Sequence, residues 1–323
     1  MTVDPSPAIV VQGLTRRFGD MLAVKDLSFA VPRGEIFALL GPDGAGKTTT
    51  LRMLCGAITP SRGTVVIDGV DLRRDPEAVH ARIAYMPQRF SLYEDLTVQE
   101  NLDFYAELFG VPRDARAARA RRLLEFSGLS VFTNRRGADL SGGMKQKLAL
   151  ACALIHEPRV LLLDEPTAGV DPVSRREFWR ILYELNREGA TILVSTTYMD
   201  EADRCTTVGL LYAGELIAAE DPGVMKRRLH GEVVEFVAEP RAAARRIIAG
   251  STEVRSATLI GDRFHAVVAD AAAAIPLLTR RLAAQGVLVR NAVAIPASLE
   301  DVFVSMIAER RAGRNGAGEG AHG

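Results

Sequence analysis

A glycine-rich stretch that ends in lysine and threonine directly follows a run of apolar residues near the start of the chain. It fits the pattern G-x-x-x-x-G-K-[ST] and consists of Gly41, Pro42, Asp43, Gly44, Ala45, Gly46, Lys47 and Thr48, with Thr49 next. Glycines let the backbone curl so that successive N–H groups point at phosphate oxygens, and a following helix adds its positive end. Lys47 can reach the terminal phosphates and the Thr48 hydroxyl can ligate Mg²⁺. This stretch, including Thr49, predicts a nucleoside triphosphate site.

Two adjacent carboxylates lie at the end of a second apolar run. Val160–Leu163 is followed by Asp164 and Glu165, and ligands of open α/β sheets bind beyond the carboxyl ends of strands. Asp164 is placed to hold Mg²⁺, directly or through water. Glu165 is placed to polarise an attacking water as a general base. The pair predicts hydrolysis at the phosphate loop.

A third motif has a serine and two glycines before a helical segment, Leu148–Ile155. Its residues are Leu140, Ser141, Gly142, Gly143, Met144, Lys145 and Gln146. The serine hydroxyl and the backbone N–H groups at a positive helix end form a second cradle for the γ-phosphate. With this motif the chain resembles the ATP-binding cassette (ABC) ATPases, whose signature has the form LSGGxxQ. In that family the cradle serves ATP held by the opposite subunit.

The resemblance extends over about residues 8–228 and implies further site residues. Phe18 stands at the aromatic position that stacks on adenine. Gln88 matches the glutamine that touches Mg²⁺ and the water and that hinges the helical subdomain. Ala168–Asp171 matches the loop that crosses the dimer interface, and Tyr93–Asn101 resembles the segment that faces the membrane subunit.

The chain departs from the family pattern at two positions. Asp43 replaces the more common Asn of the phosphate loop, and we expect its carboxylate to point outward at little cost. Thr197 stands where the family has its switch histidine, which reaches the γ-phosphate and helps to orient the water. A threonine offers a hydroxyl but neither the reach nor the charge of an imidazole. A Ser or Thr at this position resembles the first half of some tandem two-cassette ABC-2 ATPases. We therefore expect ATP binding with reduced hydrolysis at this site.

The strands and helices that must position these residues are typical of an α/β fold. Ile36–Leu40, Val160–Leu163 and Thr191–Val194 are apolar runs typical of strands buried on both faces of a parallel sheet. The resemblance implies a P-loop NTPase core with a mostly parallel sheet, an antiparallel β subdomain and a helical subdomain inserted at about residues 90–155. The arginine-rich segment Arg113–Phe126 is interpreted as the solvated face of one of its helices.

A shift in composition near residues 226–231 predicts a second domain. Residues 1–228 would form the ATPase domain and residues 229–310 a small C-terminal α+β extension, while the glycine-rich residues 311–323 would be disordered. The segment Ala297–Phe303 resembles the end of ATPases that serve ABC-2 type exporters, including drug-resistance systems. Ser298 is the expected N-cap of the last helix.

Composition restricts the partners and the location. The 323 residues correspond to about two domains, and the 40 Lys and Arg residues balance the 40 Asp and Glu residues, which argues against nucleic acid as a partner. No apolar run approaches the roughly 20 residues of a membrane span, and the N-terminus lacks the pattern of a signal peptide. Three widely spaced cysteines fit a reducing cytoplasm without a disulfide framework.

The resemblance then implies the cofactors and the assembly. The implied cofactors are ATP and Mg²⁺. The implied partners are integral membrane permease subunits of an ABC-2 type transporter and a second cassette, in a homodimer or a heterodimer. The location would be cytoplasmic, peripheral on the inner face of the membrane. Two alternatives remain open: a soluble ABC ATPase of translation or DNA repair, and a catalytically weak or regulatory cassette that pairs with an active partner.

Overall fold

The chain divides into two units, residues 1–219 and residues 220–323, and the computed structural model describes residues 6–89 and 92–318. The strands of the first unit are β1 (Ile9–Phe18), β2 (Met21–Val31), β3 (Ile36–Leu40), β4 (Arg62–Ile67), β5 (Val70–Asp71), β6 (Ile83–Met86), β7 (Val160–Asp164), β8 (Thr191–Thr196), β9 (Thr207–Tyr212) and β10 (Glu215–Glu220). Its helices are α1 (Lys47–Leu54), α2 (Pro76–His80), α3 (Val98–Leu108), α4 (Arg113–Ser127), α5 (Gly142–Leu154), α6 (Pro172–Arg187) and α7 (Met199–Ala202).

A six-stranded sheet in the order β10-β9-β3-β8-β7-β6 forms the centre of this unit. Its strands from β9 to β6 are parallel. Every residue of β3, β7 and β8 is buried, because helices cover both faces of such a sheet. The register pairs Leu40 with Thr196 and Asp164 with Ser195, so the carboxyl ends of these three strands meet at one edge. The predicted α/β class with a parallel core is confirmed.

A second sheet, in the order β2-β1-β4-β5, is antiparallel. Its buried side chains share one apolar cluster with α1 and with strands of the parallel sheet, including Leu14, Leu27, Leu51 and Val160. Asp68 follows β4, and its carboxylate contacts Arg33, Arg82 and Arg159.

The helices α3, α4 and α5 have an apolar cluster of their own, which includes Leu102, Leu124 and Leu148. A capping box formed by Thr97 and Glu100 begins α3. On α4 few side chains are buried, and several of its arginines pair with acids, for example Arg122 with Glu188 at 2.7 Å. The arginine-rich segment therefore forms a solvated helix face.

The second unit alternates strands and helices. Its elements are α8 (Pro222–Arg227), β11 (Glu232–Glu239), α9 (Arg241–Ala249), β12 (Val254–Ile260), β13 (Arg263–Val268), α10 (Ala271–Ala284), β14 (Leu288–Ile295) and α11 (Leu299–Gly318). The strands form one antiparallel sheet in the order β12-β13-β11-β14, and α9 and α10 bury their apolar sides against it. Strand β12 was not predicted.

The structure differs from the sequence-based prediction at both ends of the second unit. The division falls at residues 219 and 220 rather than at 228 and 229, because α8 precedes the shift in composition but packs against α11. Helix α11 continues through residues 311–318, which were predicted to be disordered, because a helix already formed at its packed residues Leu299 and Val302 extends at low cost. Residues 319–323 lie outside the described range.

Candidate functional site

The phosphate loop connects the end of β3 to the start of α1 and depends on two glycines. A Cβ at position 41 would lie 2.2 Å from the backbone oxygen of Leu211, and Gly46 has a φ of 105°. Both positions therefore exclude a side chain. In the described part of the chain no side chain caps α1, so its first N–H groups face the loop, as anion binding at a helix N-terminus requires.

Lys47 is buried, with 4% of its side chain exposed. Its Nζ donates to the backbone oxygens of Gly41 at 2.8 Å and Pro42 at 3.1 Å. The same nitrogen lies 3.1 Å from Oε1 of Glu165. The ammonium is thus held inside the loop and beside the proposed base.

Asp164 is 1% exposed and ends β7 behind the loop. Its Oδ1 accepts hydrogen bonds from the hydroxyls of Thr48 at 3.0 Å and Ser195 at 2.7 Å. Its Oδ2 is buried without a hydrogen-bond partner among the described residues. A buried, unsatisfied carboxylate oxygen beside a hydroxyl matches the hard oxygen ligands that Mg²⁺ prefers, so these residues fit the ion. Burial and the nearby charge of Asp164 raise the pKa of Tyr85 to about 12.

Glu165 directly follows β7 with a φ of 47°, in the left-handed region. Its backbone N–H donates to the hydroxyl of Ser195 at 3.0 Å. Its Oε2 accepts a hydrogen bond from Nε2 of Gln88 at 2.9 Å. The structure thus places Gln88, which follows β6, beside the carboxylate of Glu165, and its expected contact with Mg²⁺ and the water stays a prediction.

A cavity of about 710 Å³ opens over these residues. From the phosphate loop it is lined by Asp43, Gly44, Gly46, Lys47, Thr48 and Thr49. Gln88 and Glu165 also line it, together with Met21 and Leu22 at the start of β2. Asp43 is exposed although it belongs to this lining, and the outward direction of its carboxylate stays a prediction.

Phe18 and Thr197, two of the predicted site residues outside the phosphate loop, do not line this cavity. Phe18 ends β1 and is 39% exposed, and the guanidinium of Arg16 lies 4.5 Å from the centre of its ring. Thr197 is half-buried and follows the end of β8. Of the described residues near the expected adenine position, Met21 and Leu22 line the wall, and the sequence pattern did not single them out.

The signature motif begins α5, outside the cavity. The Ser141 hydroxyl accepts a hydrogen bond from the N–H of Met144 at 3.3 Å as the N-cap. Its two glycines differ, since a Cβ at Gly142 would meet open space and one at Gly143 would lie 2.4 Å from Oγ of Ser174. Gly143 therefore allows α5 to approach α6 closely, and Gly142 leaves the outer surface of the motif free of side chains.

Of the remaining motif residues, Leu140 precedes the N-cap of α5 and the other three belong to α5. Leu140 is buried, and Met144 packs against the apolar cluster of the helical subdomain. Lys145 forms an ion pair of 2.7 Å with Glu94, and Gln146 is half-buried. On the other helix Asp171 caps α6 by accepting from the N–H groups of Val173 and Ser174 at 3.0 Å. The signature and the 168–171 loop thus lie side by side.

Sequence reasoning missed Ser195. Its hydroxyl donates to Asp164 and accepts from the backbone of Glu165, so it fixes both carboxylate residues. The only sequence signal was its place at the end of an apolar strand, and its importance follows from the pairing of β8 with β7.

The parallel sheet and the residues at its carboxyl edge define the class of P-loop nucleoside triphosphatases, in which backbone N–H groups and a lysine hold the phosphates. A protein-family model described as ABC transporter matches residues 24–168. The chain is 35% identical over 306 residues to a Nod factor export ATP-binding protein I of Ralstonia nicotianae, covering 94% of this chain and 95% of that protein. The chain belongs to the ABC transporter ATPase family, as its motifs predicted.

Two further comparisons support this assignment. The chain is 50% identical over 225 residues to the probable multidrug ABC transporter ATP-binding protein YbhF of Escherichia coli, which is 69% of this chain but only 39% of YbhF. A dimeric post-hydrolysis structure of the ATP-binding cassette MJ0796, bound to ADP and Pi, matches with a TM-score of 0.60 and 26% identity. That match covers 66% of this chain and 98% of the cassette. Within the described residues, no helix combines the length and apolarity needed to cross a membrane.

Proposed function

We propose that this chain is the ATP-hydrolysing subunit that powers an ABC-2 type membrane exporter. The observation that carries the proposal is the convergence of Lys47, Thr48 and Glu165 at one cavity, with the buried Asp164 hydrogen-bonded to Thr48 behind it, in a chain that matches an export ATP-binding protein along nearly its whole length. Within this proposal ATP binds to the phosphate loop through residues 41–49. Phe18 provides the stacking surface for adenine once the guanidinium of Arg16 has left its ring.

The proposed roles follow from the contacts of each side chain. Thr48, Asp164 and Gln88 would hold Mg²⁺, which supplies charge neutralisation between the phosphates. Glu165 accepts a proton from the attacking water, while Gln88 fixes the orientation of its carboxylate. Lys47 balances the charge of the terminal phosphates. Asp164 and Glu165 act at the end of a strand that the sheet holds rigidly, and Lys47 and Thr48 act at the start of α1.

The signature motif would act on ATP bound to a second cassette. Ser141 and Gly142 are exposed at the start of α5 and lie outside the chain's own cavity, as a site completed by a partner requires. Since Thr197 lacks the imidazole of the family, this chain would complete the partner's site fully while its own site turns over slowly. We therefore favour an asymmetric heterodimer, and a slowly hydrolysing homodimer is the alternative.

Permease docking would use the aromatic surface of the helical subdomain. Tyr93, Phe104 and Phe109 are each more than a third exposed, as is Leu108 on the same helix end. The rings of Tyr93 and Phe104 lie 4.4 Å apart between centres. Exposed apolar surface of this kind is typical of a protein interface, and it would place the chain on the cytoplasmic side of the membrane.

The experiment is to co-purify this chain from detergent-solubilised membranes with a co-expressed ABC-2 type permease. We expect a stable complex whose ATPase activity and efflux from vesicles are both lost in Lys47→Ala. As a control, Arg122→Ala removes an exposed ion pair of α4 and should change neither. A chain that hydrolyses ATP without binding any membrane protein would contradict the proposal.

A further inference from the structure

Glu201 is a buried carboxylate, 1% exposed, on the short helix α7 after β8. Its partners all lie outside that helix. Oε2 accepts a hydrogen bond from the hydroxyl of Thr196 at 2.7 Å, and Oε1 accepts one from the hydroxyl of Thr167. Arg175 Nε lies 3.6 Å from Oε1. Because an unpaired buried charge is strongly destabilising, these contacts hold the three surrounding segments in one arrangement.

The first of these segments contains the position of the family's switch residue. Thr196 directly precedes Thr197, and its hydroxyl, besides donating to Glu201, accepts a hydrogen bond from the N–H of Tyr198 at 3.0 Å. The backbone oxygen of Thr196 accepts from the N–H of Gly41 at 3.4 Å. Glu201 therefore fixes the chain on both sides of Thr197 and links it to the phosphate loop.

The second segment connects the proposed base to the 168–171 loop. Thr167 lies two residues after Glu165, and the N–H of Ala168 donates to the backbone oxygen of Glu165 at 3.1 Å. The N–H of Val170 donates to the backbone oxygen of Thr167, also at 3.1 Å. The hydroxyl of Thr167 thus ties a tight turn, with Glu165 at its start, to Glu201.

The third segment is the first part of α6. The guanidinium of Arg175 lies 4.0 Å from the centre of the Tyr198 ring, in the range of a cation–π contact. The same guanidinium faces Glu201. Arg175 and Glu201 together therefore hold the residue that follows Thr197 against the helix that follows the 168–171 loop.

We infer that Glu201 is a positioning residue for ATP hydrolysis, which fixes Thr197 and the 168–171 loop relative to Glu165. Glu201 does not line the nucleotide cavity in the part of the chain that the structure describes, so it acts on cleavage and not on ATP binding. A threonine hydroxyl reaches less far than an imidazole. The rate at this site therefore depends on where the backbone holds Thr197, and displacements of about 1 Å can cost a hundredfold in rate.

The test compares Glu201→Ala and Glu201→Gln with Asp200→Asn, a control that removes the same charge from the exposed neighbouring residue. The measurements are the single-turnover rate constant for cleavage of bound MgATP, the Kd for ATP and the Tm. We expect Glu201→Ala to lower the rate constant about a hundredfold with the Kd changed less than about twofold. Glu201→Gln keeps an acceptor for one hydroxyl and should be intermediate, while Asp200→Asn should match the wild type.

Two milder variants keep the test decisive if Glu201→Ala does not fold. Thr196→Val and Thr167→Val each remove one hydroxyl, and each should slow cleavage. Combined with Glu201→Gln they should slow it by less than the product of the separate effects, because the groups act together. Wild-type cleavage in folded Glu201 variants, or an equal loss of ATP affinity, would overturn the role.

This role of Glu201 rests on the proposed hydrolysis at Glu165, but different experimental results would contradict the role and the proposed function. ATP binding that survives Lys47→Ala would count against the proposed function. The role of Glu201 fails only through its own variants and those of its two threonine partners.

Discussion

Nζ of Lys47 lies 3.1 Å from Oε1 of Glu165, and both side chains are largely buried, with 4% and 14% exposed. The cation proposed to bind the phosphates and the carboxylate proposed to act on water are therefore an ion pair. A bound phosphate competes with Glu165 for Lys47, and the two residues are coupled although their roles differ.

This coupling predicts opposite effects of two substitutions. Glu165→Gln removes the competing charge, so we expect ATP affinity to stay the same or rise, while hydrolysis falls by about 10²–10⁴-fold. Lys47→Ala should abolish ATP binding. Titration with ATP together with steady-state hydrolysis measures both. Equal loss of affinity in the two variants would refute the assigned roles.

Thr197 gives a second prediction. Thr197→His should raise the rate at the chain's own site by about tenfold or more, since a positioned imidazole contributes about 10²–10⁴-fold when its geometry is ideal. Thr197→Ala is the matched control and should be no faster than the wild type. The measurement is ATPase activity of the chain purified alone. Brisk wild-type hydrolysis that Thr197→His leaves unchanged would rule out the asymmetric heterodimer.

The two signature glycines predict different stabilities. Gly143→Ala forces a Cβ to within 2.4 Å of the Ser174 hydroxyl, so we expect a loss of about 1–3 kcal/mol in the free energy of unfolding. Gly142→Ala meets open space and should keep or slightly raise stability, because alanine is the better helix former. Urea unfolding measures both. The double variant Gly143→Ala with Ser174→Gly should recover most of the loss, and failure to recover it would show that the clash is not the cause.

Asp68 gives a prediction about pH. Burial alone would raise its pKa, but hydrogen bonds and charges from Arg33 and Arg159 outweigh burial and hold the pKa below the usual 3.8. A carboxyl with a lowered folded pKa stabilises the fold fully above its unfolded pKa, and this stabilisation is lost as the pH falls through the folded pKa. The contribution of Asp68 to the free energy of unfolding is therefore fully present at pH 7 and declines below about pH 4.

The test is Asp68→Asn, which tolerates the positive φ of 49° at this position. We expect a loss of about 2 kcal/mol at pH 7, typical of a lost hydrogen bond to a charged group. The difference from the wild type should shrink toward pH 3 in chemical unfolding experiments. A difference that stays constant between pH 7 and pH 3 would show that the charge of Asp68 is not what stabilises the fold.

Local sequence patterns were sufficient to predict those parts of the site in which the functional groups lie within one short segment of the chain. The apolar run before Gly41 and the glycine spacing predicted the strand, the loop and the start of α1. The strand end at Asp164 was predicted in the same way, since burial on both faces leaves a recognisable run of apolar residues.

Features that depend on contacts between distant segments were not predictable. Ser195 matters because the register of β8 places it opposite Asp164, and no local pattern shows a register. Glu201 looked like an ordinary acid in a short helix until its partners from residues 167 and 175 were in place. Strand β12 alternates half-buried and exposed residues and has none that is fully buried, so it lacks a strong apolar run. The start of the second unit depends on the packing of α8 against α11.

The left-handed backbone of Glu165, with a φ of 47°, has a thermodynamic consequence. A residue with a Cβ loses about 1–2 kcal/mol in that conformation, and glycine does not. The backbone alone would therefore be less strained with glycine at the position where the proposed chemistry needs a carboxylate. The strain is held in place by the ion pair with Lys47 and the hydrogen bond from Gln88, so the contacts that position the carboxylate also offset the cost of its backbone conformation.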